Sequence, residues 1–137
     1  MVHELLRLRR LHILLVDDDP DACNRIKQAL GSDFHLHHAH SLIEARQHLK
    51  EYIPDLVICE VLLGKESGLE LCRFIRNTPS LHYLPIMLLT SLTTLQDKIA
   101  GFDAGADDYV IKPYDARHLM ARIRLLARMK NLEQQYD

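Results

Sequence analysis

The sequence predicts an α/β fold, a doubly wound parallel sheet of five strands with helices on both faces. Five short apolar segments alternate along the 137 residues with five longer segments of helical periodicity. The first, third and fourth segments are apolar nearly throughout, which is typical of parallel strands buried on both faces. Strictly alternating strands and helices join by right-handed crossovers, which place helices on both faces of one sheet. The strand candidates are Leu11–Val16, Phe34–Ala39, Leu56–Cys59, Ile86–Leu89 and Tyr109–Ile111.

Capping signals precede the five helical segments. Asp19-Pro20 combines an N-cap carboxylate with proline at the first helical position. Two Ser-x-x-Glu segments, which begin at Ser41 and Ser67, match the capping box, and Thr94 and Asp115 are the candidate caps of the last two helices. The apolar residues predicted to face the sheet are, helix by helix, Cys23, Ile26 and Leu30; Leu42, Ala45 and Leu49; Leu71, Cys72 and Ile75; Leu95, Ile99 and Phe102; and Leu119, Ile123 and Leu126.

Polar residues gather where the predicted strands end. In chain order they are Asp17, Asp18, Glu60, Thr90 and Lys112. The carboxyl ends of parallel strands lie at one edge of the sheet, where ligands bind in this class of fold. Carboxylates that converge there repel one another unless a metal cation or a lysine neutralises them. Asp17 and Asp18 offer the oxygen ligands that Mg²⁺ prefers, and Lys112 can pair with Glu60 or with a bound phosphoryl group.

Five segments carry a resemblance to a known family. They are Leu14-Leu-Val-Asp-Asp-Asp-Pro20, Pro54-Asp-Leu-Val-Ile58, Ser67-Gly-Leu-Glu-Leu-Cys72, Pro85-Ile-Met-Leu-Leu-Thr90 and Ala104-Gly-Ala-Asp-Asp-Tyr-Val-Ile-Lys-Pro-Tyr114. Over residues 11–128 the chain resembles the receiver domain of two-component response regulators, of the chemotaxis-regulator-like kind. The resemblance implies a flavodoxin-like sheet of order 2-1-3-4-5, which periodicity alone does not provide.

The resemblance also implies a metal site at the strand ends. Asp17 and Asp18 match the acidic pair that binds Mg²⁺ in the family. Glu60 stands at the phospho-acceptor position, and Leu62 at the position whose backbone carbonyl completes the site. Because glutamate misplaces the third carboxylate, we expect Mg²⁺ to bind only weakly.

A phosphoryl site is implied by the same resemblance. Family members accept a phosphoryl group from a histidine kinase, and Thr90 and Lys112 match the residues that contact this group. Thr90 and Tyr109 match the pair that rearranges on activation. The candidate catalytic residues are therefore Glu60, at the acceptor position, Thr90 and Lys112.

Glu60 departs from the family, which carries aspartate at this position. The extra methylene moves the carboxylate outward by roughly 1.3–1.5 Å, whereas phosphoryl transfer requires reacting atoms to be placed to within about an ångström. We therefore predict a receiver that is independent of phosphorylation or mimics the phosphorylated state, acts by protein–protein interaction and is not an enzyme. The alternatives are an inert or dimerising scaffold, in which Glu60 pairs with Lys112, and a Mg²⁺-dependent phosphoacceptor switch.

Charged residues of the predicted fourth helix, fifth strand and fifth helix resemble the dimer surface of receivers in DNA-binding regulators. They are Lys98, Asp107, Asp108 and Arg122. We expect a homodimer through this face, with solvated charges as the plainer interpretation. The other expected partners are a sensor histidine kinase and an output domain or protein.

Composition and length bound the remaining possibilities. The net charge of −2 provides no general attraction to nucleic acid or to anionic membranes. No segment reaches the roughly 18 apolar residues of a membrane span, and we expect a cytoplasmic protein with reduced, packed cysteines. We predict an extension at residues 1–10, a receiver at 11–128 and a helical extension at 129–137. This last segment is either a linker to an output domain or the frayed end of a single-domain protein. Four histidines in Phe34–His40 divide between the two strand faces, which favours solvated side chains over a metal site.

Overall fold

A five-stranded parallel sheet lies between two layers of helices. The computed structural model describes residues 10–136, with side chains up to residue 129. The strands of the sheet, β1 to β5, are Leu11–Val16, Phe34–Ala39, Leu56–Cys59, Ile86–Thr90 and Asp108–Ile111. Helices α1 to α5 are Ala22–Leu30, Leu42–Glu51, Gly68–Arg76, Leu95–Ala104 and Ala116–Tyr136. The order β2-β1-β3-β4-β5, with every neighbour parallel, confirms the predicted architecture.

Two apolar layers hold the helices to the sheet. On one face, α2, α3 and α4 cover residues that include Leu14, Val57 and Leu88. On the other face, α1 and α5 cover residues that include Ile13 and Ile58. A small antiparallel hairpin, Leu62–Leu63 with Glu66–Ser67, lies outside the sheet between β3 and α3.

The predicted inward face of the fourth helix is wrong. Gly101 and Ala104 are the buried residues of α4. A β-carbon at Gly101 would lie 2.8 Å from the Leu88 side chain and 3.1 Å from the Tyr109 ring, so the helix backbone approaches the sheet through a glycine. Periodicity detects an apolar stripe but does not report which side of a helix is covered. Leu95, Ile99 and Phe102, which were predicted to face the sheet, are instead 68%, 50% and 48% exposed.

Thr94 and Asp115 cap their helices as predicted. Thr94 accepts from the amide of Asp97, whose carboxylate accepts from the amide of Thr94, so the capping box is complete. The Asp115 carboxylate accepts from the amides of Arg117 and His118. Each cap satisfies amides that have no partner within the helix.

The three other helix starts differ from prediction. Helix α1 begins at Ala22, because Asp19-Pro20 forms a preceding turn in which the Asp19 carboxylate accepts from the amide of Asp21. Ser41 caps α2, but the partner Glu44 accepts from the amide of His40 and leaves the box half formed. Ser67 caps α3 by accepting from the amide of Leu69 rather than that of Glu70.

The cysteines are packed thiols. Cys59 and Cys72 are buried, Cys23 is half-buried, and all three are free. Burial raises the pKa of Cys59 well above its usual value and that of Cys72 to about 11. Both buried thiols are therefore protonated at pH 7 and have little nucleophilic character.

The predicted extensions are described only in part. Helix α5 continues to Tyr136, so the backbone of residues 129–136 is helical. Residues 1–9, residue 137 and the side chains of residues 130–136 lie outside the described residues. Among residues 10–136, no helix combines the length and the apolar character needed to cross a membrane.

Candidate functional site

The predicted site residues meet at the carboxyl edge of the sheet. Backbone hydrogen bonds carry the chain past the strand ends: the amide of Asp17 donates to Ala39, that of Glu60 to Val16, and that of Lys112 to Thr90. The side chains of Asp17, Glu60 and Thr90 are buried, and Lys112 is half-buried. The parallel topology thus brings together residues that are up to 95 positions apart.

Lys112 lies between two buried carboxylates. Its Nζ atom is 3.0 Å from Oδ2 of Asp17 and 3.2 Å from Oε1 of Glu60. Burial by itself lowers the pKa of Lys112, but the hydrogen bond to Asp17 and the charges of Asp17 and Glu60 outweigh it, and the pKa lies above its usual value. The lysine is therefore charged at neutral pH and neutralises part of the acidic cluster.

Glu60 bends back onto its own loop. Its Oε2 atom accepts from the amides of Val61, at 2.7 Å, and Leu62, at 3.3 Å, while Oε1 faces Lys112. Helix α3 holds this loop closely, since a β-carbon at Gly68 would lie only 2.1 Å from the carbonyl oxygen of Glu60. Both carboxylate oxygens of Glu60 thus already have hydrogen-bond partners.

Thr90 and Tyr109 are joined through Leu92. The Thr90 hydroxyl accepts from the Leu92 amide at 3.4 Å, and the Tyr109 hydroxyl donates to the Leu92 carbonyl at 2.9 Å. Burial, followed by the charges of Asp97 and Glu60, raises the pKa of Tyr109. Within residues 10–129, no hydrogen bond joins the Thr90 hydroxyl to Glu60.

The carboxylates fit a Mg²⁺ site only in part. Asp17 and the exposed Asp18 supply suitable oxygen donors. However, Asp17 accepts from the Asp19 amide and from Lys112, and Glu60 faces backbone amides. No three Asp, Glu, His or Cys side chains of the described residues are placed to hold a metal ion. The Lys112 ammonium group neutralises part of the negative charge of Asp17 and Glu60.

Three of the four charges of the predicted dimer surface are engaged within the chain. Arg122 donates twice to Asp108, which is only 5% exposed. Arg76 pairs with Asp107 at 2.8 Å, and the same carboxylate oxygen accepts from the Ile86 amide. Asp107 and Asp108 therefore tie β5 and the residue before it to neighbouring elements. The exposed part of this face includes apolar residues of α4.

Comparison with known proteins identifies the family. The model of the response regulator receiver domain matches residues 13–124, which is most of the chain. The chain belongs to the response regulator receiver domain family. This receiver domain is 36% identical over 124 residues to the response regulator MprA of Mycobacterium ulcerans (strain Agy99), covering 90% of this chain and 53% of that protein.

Two further comparisons agree. The DNA-binding dual master transcriptional regulator RpaA of Synechocystis sp. (strain ATCC 27184 / PCC 6803 / Kazusa) is 35% identical, over 85% of this chain and 48% of its own length. The BeF3-activated N-terminal receiver domain of Klebsiella pneumoniae RstA superposes with a TM-score of 0.78 at 33% identity, over 85% of this chain and 98% of that one. The receiver domain thus spans about half the length of the curated relatives it matches.

Sequence reasoning missed two backbone contributions to the site. Leu92 acts through its amide and carbonyl, which leave no signal in residue type. Gly68 was assigned to a helix cap, whereas its lack of a side chain also permits contact with the Glu60 carbonyl. A glycine that directly follows the acceptor loop was the available signal for this close approach.

Proposed function

We propose that this receiver domain works without phosphorylation and regulates a partner by protein–protein contact, with Glu60 holding it in one state. The supporting observation is that both oxygens of Glu60 are engaged, one by Lys112 and the other by the amides of Val61 and Leu62. A phospho-acceptor needs a carboxylate oxygen directed in line at the incoming phosphorus. Glu60 instead completes an internal network of charges.

The contacts support a fixed resting state more than complete mimicry of phosphorylation. A phosphoryl group offers three acceptor oxygens and a charge of about −1.5 to −2, whereas a carboxylate offers two oxygens and −1. Glu60 reaches Lys112, as a phosphoryl oxygen would, but the hydroxyl of Thr90 bonds to Leu92 instead. Only one of the two expected phosphoryl contacts is therefore reproduced.

Intact mass after incubation with Mg²⁺ and acetyl phosphate tests this proposal. We expect native protein to remain unmodified and Glu60→Asp to gain one phosphoryl group, because the shorter side chain restores the acceptor. Glu60→Gln is the matched control and should stay unmodified. Labelling of the native protein would contradict the proposal. If folded Glu60→Asp did not react, residues other than Glu60 would be what prevents phosphorylation.

The second candidate function is a Mg²⁺-dependent phosphoacceptor that receives its phosphoryl group from a histidine kinase. It is supported by the presence of Asp17, Asp18, Thr90 and Lys112 at the carboxyl edge, and receiver domains generally bind Mg²⁺ at their phosphorylation site. Labelling of native protein that disappears when Mg²⁺ is removed would favour this function over the first.

The partners follow from the family and from the exposed face of α4. A sensor histidine kinase, or an output domain or protein, is the proposed partner, since the chain matches about half of each relative. We also propose a homodimer through α4, β5 and α5, where Leu95, Ile99 and Phe102 form an exposed apolar surface. With its net charge of −2, this domain is not itself proposed to bind nucleic acid.

A further inference from the structure

Five rings pack together at the amino-terminal end of β1 and β2, at the edge opposite Glu60. This group is called the histidine cluster; its members are His12, His35, His37, His48 and Tyr52. The rings of His12 and His35 stack 4.5 Å apart, and those of His37 and His48 lie 5.2 Å apart. The cluster therefore joins β1, β2 and α2. By contrast, His38 and His40 pack with each other, as the predicted division between strand faces requires.

His12 and His37 share a hydrogen bond at the centre of the cluster. Nδ1 of His12 is 3.1 Å from Nε2 of His37, and the planes of the two rings differ by 14°. One of these nitrogens must donate while the other accepts, so a neutral pair has one proton between its rings. A first added proton can occupy an outward nitrogen and leave this bond intact. A second proton must occupy the accepting nitrogen, which sets two N–H groups against each other and breaks the bond.

The surroundings oppose that second proton. Arg10 lies 3.4 Å from Nδ1 of His35 and adds a positive charge on the β2 side. On the α2 side, Nδ1 of His48 is buried and makes no hydrogen bond within the residues whose side chains are described. Tyr52 covers the cluster as a neutral ring. Asp55 acts in the opposite direction, because its carboxylate accepts from the backbone amide of His12 at 2.8 Å and places a negative charge beside the pair, which favours protonation.

We propose that the histidine cluster is an acid-sensitive switch: when neutral it holds β2 and α2 against β1, and a second proton on the His12–His37 pair releases them. The described residues provide no set of three ligands placed for a metal ion. The His12–His37 hydrogen bond is the contact of the cluster that proton binding changes. A strand at the edge of the sheet is the element that such a release affects first, because it has a neighbour on only one side.

The direction of the pH effect follows from the protonation equilibria. Burial, followed by the charges of His48, His12 and His35, lowers the pKa of His37, and burial followed by Arg10 lowers that of His35. Below about pH 6.5 the unfolded chain binds protons that the folded chain does not. The stabilisation from the neutral histidines is therefore complete above about pH 6.5. It is lost as the pH falls from there toward the lowered pKa values of His35 and His37 in the folded state.

Urea unfolding between pH 7.5 and pH 5.0 tests the switch with matched variants. For each proton that the unfolded state binds in excess of the folded state, the unfolding equilibrium constant rises about tenfold when the pH falls by one unit. His37→Gln keeps a polar side chain but does not titrate. We therefore expect the slope of its log unfolding constant against pH to be smaller than that of native protein by about one proton. His118→Gln, at an exposed position of α5, should match native protein. Identical slopes for all three proteins would overturn the proposal.

Amide hydrogen exchange of the native protein decides the question without a variant. After correction for intrinsic exchange rates, we expect amides of β2 and α2 to lose at least tenfold in protection between pH 7.5 and pH 5.5, while those of the central strand β3 do not. Uniform loss across the sheet, or unchanged protection in β2 and α2, would overturn the proposal even if His37→Gln failed to fold.

Discussion

Lys112 is the residue on which the acidic edge depends. It pairs with Asp17 and Glu60, both of which are buried, and is itself 27% exposed in its side chain. Two buried carboxylates without a cation repel each other and lose hydration. The lysine therefore stabilises the same residues that a receiver domain uses for its chemistry.

Replacement of this lysine should weaken the fold. We expect Lys112→Met to lower the free energy of unfolding at pH 7 by about 2 kcal/mol, below the roughly 3–5 kcal/mol of a fully buried pair because Lys112 is partly hydrated. Urea unfolding at pH 7 is the measurement. Lys98→Met is the control, and an equal effect from the two variants would contradict the role of Lys112.

Metal affinity should respond to the length of one side chain. Because Glu60 faces the amides of Val61 and Leu62, native protein should bind Mg²⁺ weakly. Glu60→Asp should bind it about tenfold or more tightly, since carboxylate oxygens are the preferred ligands and aspartate restores the third carboxylate of the family's metal site. Isothermal titration calorimetry at pH 7 measures both affinities. Equal affinities would show that the position of this carboxylate does not limit metal binding.

At the scale of elements, α4 is attached to the sheet through small residues. Gly101 and Ala104 are its buried positions, so few side-chain contacts hold it. The end of the helix is well defined, since Gly105 has a φ of 117°, a left-handed value that suits glycine. The stability of α4 consequently depends more on its termini than on its packing.

Loss of the α4 cap should therefore have a local effect. Thr94→Ala removes one half of a complete capping box and should cost about 1 kcal/mol. We expect faster amide exchange in α4 and little change in the other helices. Ser41→Ala, which removes the cap of α2, is the comparison and should leave α4 exchange as it is. Uniformly faster exchange in Thr94→Ala would mean that α4 unfolds only with the whole domain.

Glycine substitutions separate steric contact from backbone conformation. A β-carbon at Gly68 would meet the Glu60 carbonyl at 2.1 Å, whereas at Gly31, where φ is 69°, it would have no neighbour within 4 Å. We expect Gly68→Ala to destabilise by about 3 kcal/mol through overpacking, and Gly31→Ala by about 1 kcal/mol through backbone strain. Thermal unfolding ranks the two variants, and a larger effect at Gly31 would contradict the close packing of α3 on the acceptor loop.

The elements also show what the sequence could predict. Alternating apolar and helical segments identified every strand of the sheet, and the pattern is clearest in the inner strands β1, β3 and β4, because burial on both faces leaves a continuous apolar run. The stripe of α4 was assigned to the wrong side, since an exposed apolar surface and a buried one have the same period. The side chains of the site were predictable because strand ends share one edge. The direction of the Glu60 carboxylate was not, because it depends on free amides in the following loop.

At the scale of the whole molecule, the receiver domain has an exposed apolar surface on the side of α4. It includes Leu95, Ile99 and Phe102, and it adjoins the internal pair of Arg122 with Asp108. Surfaces of this kind mark sites of protein association. In the described residues, Arg122 and Asp108 hold α5 to β5, and Asp107 pairs with Arg76 of α3. The exposed apolar residues of α4 remain for a partner.

A single charge on this surface should weaken self-association. We expect Ile99→Asp to raise the dimer dissociation constant about tenfold or more, because the aspartate would be desolvated in an apolar interface. Stability should change little, since Ile99 is 50% exposed. Ile43→Asp, at a 78% exposed position of α2, is the matched control. Sedimentation equilibrium measures both, and equal association of the two variants would place the interface elsewhere.

Leu92 couples ligand binding at the carboxyl edge of the sheet to partner binding at the α4 surface. Its amide bonds to Thr90 and its carbonyl to Tyr109, so a partner that displaces the tyrosine hydroxyl also alters the segment that the threonine holds. Coupling between two binding sites is reciprocal. By whatever factor an anion at the carboxyl edge changes the affinity of the partner, the partner changes the affinity of the anion, and a measurement of either one determines both.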